Sequence, residues 1–79
     1  MSPSEIKEQI VAINNAVDAG LHLEGWEQGF MESITFQFSV WEQAQIGVPL
    51  TPKQCARLEK IYSWIAAKTL ADVKKRGAL

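Results

Sequence analysis

The residues of this chain that carry chemistry elsewhere are few: His22, Cys55, the carboxylate pair Glu24 and Glu27, and the glycines of Glu24-Gly25-Trp26-Glu27-Gln28-Gly29. His22 is the sole histidine and falls between two helical segments. A general base needs a positioned nucleophile and an orienting group, and a metal ligand needs companions. Cys55 is the sole soft candidate to join it, so His22 reads as a surface or packing residue. Cys55 lies in the first turn of a helix, where a nucleophilic thiolate would gain from the helix dipole. It also shares a face with Leu58 and Tyr62, where a cysteine is simply a small apolar side chain. Glu24 and Glu27 stand one turn apart, as an acid–base pair would, but carboxylates at the start of a helix are favoured by the dipole alone. The glycines make no phosphate loop, since no strand precedes them and no Gly-Lys-Ser/Thr follows. The expectation is a non-enzyme with no catalytic residue, no metal and no cofactor.

These residues sit on three segments of helical grammar. Ser2-Pro3-Ser4-Glu5 has the form of a capping box with proline at the first helical position. Ile6, Ile10, Ile13 and Val17 follow at spacings of four, three and four, and Gly20 supplies a stop. Thr51-Pro52-Lys53-Gln54 is a second box, after the breaker Gly47-Val48-Pro49. Cys55, Leu58, Ile61, Tyr62, Ile65, Thr69 and Val73 then share a face, with Lys74, Lys75 and Arg76 before Gly77. Between these two segments, Trp26, Phe30, Ile34, Gln37, Trp41 and Ala44 line up at 3.6 residues per turn. Phe36 and Val40 lie to one side of that stripe, and Met31 and Phe38 to the other. The apolar arc therefore exceeds half the circumference, so the helix is sandwiched between neighbours or left with surface to offer. Residues 34–40 also alternate as a strand would, but an isolated strand has nothing to pair with. The expected fold is all-α, a three-helix bundle with helices over about 3–19, 24–46 and 52–76 in one domain spanning 1–79.

Seventy-nine residues leave room for one small core, and 47% hydrophobic with 22% charged content is ordinary for a folded chain. One cysteine precludes an internal disulfide and suits a reducing compartment. The polar first residues and the lack of a long apolar run point to a cytoplasmic protein without a membrane partner. Charge is unevenly spread. Residues 1–50 hold seven acids against Lys7 alone, a net of −6, whereas residues 51–79 hold seven bases against Glu59 and Asp72, a net of +5.

From the middle helix onward the chain resembles small phage and prophage proteins, and segments of phage-encoded replication and recombination proteins. The resemblance is carried by Trp26-Glu27, Phe30 and Ser33-Ile34, and then by Leu50-Thr51, Lys53-Gln54 and Leu58-Glu59-Lys60-Ile61-Tyr62. It spans roughly residues 23–62 and departs from the pattern at Glu24-Gly25, where a Ser or Thr cap is expected. It implies a helical hairpin and a small accessory or antagonist that occupies a surface of a host protein or nucleoprotein complex. Anti-CRISPR proteins are similar in size, although no residue motif here identifies one. Two binding classes follow. A protein-binding module, such as an inhibitor of a host defence or replication complex, would use Trp64, Phe36, Lys60 and Lys68, with Glu24, Glu27 and Glu32 as an acidic landing surface. A nucleic-acid accessory would use Lys53, Arg57, Lys60, Lys68, Lys74, Lys75 and Arg76 on phosphates, against the pI near 5.7. Self-association into a twofold dimer would hide the surplus apolar arc, and a monomer would leave it open.

Overall fold

The computed structural model describes the backbone of residues 1–77 and the side chains of residues 1–68. Three helices make up the described chain: α1 over Pro3–Asp18, α2 over Gly25–Ala44 and α3 over Pro52–Gly77. They form an all-α three-helix bundle. Each helix begins where its cap dictates. Ser2 Oγ accepts from the Glu5 N–H at 3.2 Å and donates to the Glu5 carboxylate at 3.3 Å. Thr51 completes the reciprocal form: its Oγ1 accepts from the Gln54 N–H at 3.2 Å, while its own N–H donates to Gln54 Oε1 at 2.9 Å. The unconventional start of α2 is closed by Glu27, whose carboxylate accepts from the Glu24 N–H at 3.0 Å. An acidic residue at this third position also faces the positive end of the helix dipole.

The stops are equally local. Gly20 takes φ +111°, and the bonds Leu21 N–H to Ala16 O and Gly20 N–H to Val17 O form the 6→1 and 5→2 pair of a Schellman motif. This ends α1 at Asp18 rather than at residue 19. Helix α2 ends at Ala44, two residues short of the expected 46. Gln45 turns left-handed at φ +53° and its N–H closes on Trp41 O. Helix α3 runs one residue beyond the expected 76.

Two polar contacts set α1 and α2 antiparallel, Lys7 with Glu42 at 2.9 Å and Asn14 Nδ2 donating to Thr35 Oγ1 at 3.2 Å. Helices α2 and α3 are pinned by a pair of amides. Gln37 and Gln54 each donate through Nε2 to the other's Oε1 at 3.0 Å, and Gln37 Nε2 also donates to Pro49 O at 3.2 Å. Gln54 Oε1 must be the acceptor because the Thr51 N–H points at it, and this fixes how the two amides face each other. Along the axis lies the core: Ile6, Ile10 and Ile13 of α1, Met31, Ile34 and Phe38 of α2, Leu58, Ile61 and Ile65 of α3, with Leu23 and Leu50 from the connections.

The core corrects the expected stripe of α2. Trp26, placed inside by the spacing, is 54% exposed, and Ala44 is exposed as well. Phe30, Gln37 and Trp41 are half-buried on one flank, while Met31 and Phe38 occupy the interior. The helix is thus rolled toward its Met31 side. Val17 is likewise exposed, because α1 is already turning into its cap there. On α3, Leu58, Ile61 and Ile65 are buried and Cys55 and Tyr62 half-buried, while Thr69 and Val73 lie outside the described side chains.

Candidate interaction surfaces

Residues whose types suggested chemistry are not brought together. His22 lies exposed beside a groove of about 510 Å³ whose lining includes Ala16, Leu21, Ile65 and Lys68. Cys55 lines a separate groove of about 400 Å³ with Met1, Val48, Pro52 and Glu59. The Glu27 carboxylate is engaged in starting α2, where it accepts from the Glu24 N–H. Among the described residues, no three His, Cys, Asp or Glu side chains cluster as a metal site would require. None of the described helices is long and apolar enough to cross a membrane.

What the fold does assemble is surface. On the outward side of α2, Phe36 is 72% exposed in mid-helix, with Trp26 one way along the helix and Val40 one turn the other way. Gly29 and Ser33 lie between Trp26 and Phe36 at helical spacing, both exposed. No charged side chain interrupts that line. Phe36 also forms one wall of an open groove of about 560 Å³ between α1 and α2, lined by Asn14, Asp18, Glu32, Thr35 and Ser39. Asp18 and Glu32 therefore give an acidic border to an aromatic ring. Glu24 is exposed at the head of the same helix, whereas Glu27 is half-buried against its cap and adds little to a landing surface.

A second apolar surface lies outside the helical stripes of the sequence. The α2–α3 connection presents Ile46, 83% exposed, and Val48, 71% exposed. Its backbone is held rather than loose: Trp41 Nε1 donates to Gly47 O at 3.0 Å, and Gln37 reaches Pro49 O. Gly47 sits at φ +76°, a conformation that favours glycine and lets the chain reverse. The sequence signal was present in Ile46 and Val48 flanking a glycine, but Gly47-Val48-Pro49 is read first as punctuation.

On α3 the expectation that Trp64 stands off the buried stripe holds, since it is 42% exposed. Lys68 Nζ lies 5.0 Å from its ring centroid. Lys53, Arg57 and Lys60 are exposed on the same flank of the helix, while Lys74, Lys75 and Arg76 fall outside the described side chains. Trp64 and Phe36 lie on different helices, α3 and α2. Comparison with family models, with curated proteins and with solved structures gives no match to this chain.

Proposed function

We propose that the chain is a non-catalytic protein-binding module whose contact face is the outward side of α2. The observation that carries this reading is Phe36, an aromatic side chain left 72% exposed at mid-helix on the side of α2 that the other helices do not cover. Burying such a ring is worth about 1.5–3 kcal/mol, and the bundle leaves that energy unused. Trp26 and Val40 extend the patch along the helix, and the connection carrying Ile46 and Val48 adds apolar surface of its own. Around the ring, Asp18 and Glu32 supply carboxylates that select for a partner with basic side chains beside an apolar pocket. An aromatic anchor inside a polar rim is the usual anatomy of a binding hot spot.

The resemblance to small phage and prophage proteins supports a host protein or nucleoprotein complex as the target. The role is then inhibition of a host defence or replication assembly in the bacterial cytoplasm. The test is affinity capture from a nuclease-treated bacterial lysate with wild type, Phe36→Ala and the control Ser4→Ala, alongside light scattering of the purified chain. The expected outcome is a protein held by wild type and Ser4→Ala and lost with Phe36→Ala. Capture indifferent to Phe36 removes α2 as the contact face. A concentration-dependent dimer abolished by Phe36→Ala assigns the face to a second copy instead.

A further inference from the structure

On one flank of α3, Lys53, Arg57, Lys60, Trp64 and Lys68 recur at spacings of four, three, four and four. All five are exposed, and at 1.5 Å per residue they form a line about 22 Å long. Glu59, the one acid among residues 51–68, is turned to another flank and lines the groove with Met1, Cys55 and Ala56. Among the described residues the sole ion pair is Lys7 with Glu42, and no described carboxylate pairs with Lys53, Arg57, Lys60 or Lys68. We propose that this stripe is a binding site for single-stranded nucleic acid, with Lys53, Arg57, Lys60 and Lys68 on phosphates and Trp64 as the stacking platform for a base.

Cations interleaved with an aromatic ring are what a single strand requires, because every base has a π-face and every nucleotide a charge. A partly exposed tryptophan in an otherwise cationic line has no such use on a duplex backbone, where the bases are already stacked. Lys68 at 5.0 Å from the Trp64 centroid occupies the ring in the free protein. A stacked base is worth more to such a ring than an exposed ammonium is, so the base displaces Lys68, whose charge is then free for the adjacent phosphate. The chain's net charge of −1 does not oppose this, since exposed charges more than about 8–10 Å away are screened at physiological salt. The site lies on a different helix from Phe36 and does not depend on the protein-binding reading.

Fluorescence anisotropy of the full chain with a labelled 15-nucleotide oligothymidylate, at several salt concentrations, tests the proposal. Single strands lose affinity with a log–log slope of about −0.7 per neutralised phosphate, so four cations predict a slope near −3. Arg57→Glu with Lys60→Glu should weaken binding at least tenfold. Trp64→Ala should weaken it several-fold, Trp64→Phe less, and Phe36→Ala not at all. Circular dichroism melts separate these losses from unfolding, which exposed positions should not cause. Absence of binding at 20 mM salt, or affinity unchanged by Arg57→Glu with Lys60→Glu, overturns the proposal. So does equal or tighter binding of a duplex of the same length, or displacement of the oligonucleotide by polyglutamate at equal charge, which would mark the stripe as a dock for an acidic protein.

Discussion

The inward side of α2 holds Met31, Ile34 and Phe38 in the core, while its outward side holds Trp26, Phe36 and Val40 in solvent. The two sides are made of the same kinds of residue. A hydropathy scale cannot rank them, and Phe36 differs from Phe38 only in which way the helix is rolled. What decides is coverage: α1 and α3 close over one side and leave the other open. A three-helix bundle of this size has no fourth element to spare. Exposed apolar residues are common singly, but an uncharged line along one helix is the kind that partners use.

The largest expected contrast is in stability. Ile34 is fully buried, and Ile34→Ala should cost about 2–5 kcal/mol from lost contacts and the cavity left behind. A domain of this length has roughly 4–12 kcal/mol in all, so that variant should melt far lower or fail to fold. Phe36→Ala, two residues away, should change stability by no more than about 0.5 kcal/mol. Thermal melts of the two proteins measure this directly. Comparable losses would mean that the two sides of α2 are not used differently.

An intermediate effect is expected where α2 meets α3. Gln37→Leu removes a side chain that donates to Pro49 O and exchanges hydrogen bonds with Gln54. The Gln54 amide and the Pro49 carbonyl lose a partner in a half-buried setting, which should cost about 1–2 kcal/mol. Because the same side chain holds the connection bearing Ile46 and Val48, amide exchange in residues 46–50 should accelerate more than in α1. Uniform acceleration would show that the amide pair supports the whole bundle and not the connection.

These contrasts also explain how much was legible beforehand. Caps are read from neighbouring residues, so Ser2 with Glu5, Thr51 with Gln54 and the stop at Gly20 mark their helix ends almost to the residue. The cores of α1 and α3 follow narrow stripes with one orientation each. Helix α2 has an apolar arc wider than half its circumference, so its sequence defines no single inward direction. The spacing accordingly sets Trp26 inside and Phe38 beside the stripe, and packing reverses them. Coverage is a property of three helices together, and no window on α2 contains it. The basic residues are legible by charge alone, and Lys53, Arg57, Lys60 and Lys68 stand as phosphate contacts from the sequence; their alignment with Trp64 on one exposed flank is what the fold adds.

The smallest effect has the opposite sign and is the most discriminating. Gly29 lies in the interior of α2 at an exposed position, and a Cβ built there meets no atom within 4 Å. Nothing in the bundle requires glycine, and an exposed mid-helix glycine costs about 0.5–1 kcal/mol relative to alanine. Gly29→Ala should therefore stabilise the chain by about that amount, visible as a raised melting temperature. The position stands between Trp26 and Phe36 on the outward line, where a missing side chain lets another backbone or ring approach closely. If that approach is why the glycine is tolerated, the stabilised variant should bind the partner of α2 more weakly. A variant that gains stability and keeps full binding would show that the contact face does not reach Gly29, and would confine it to Phe36, Val40 and the groove beside Asp18 and Glu32.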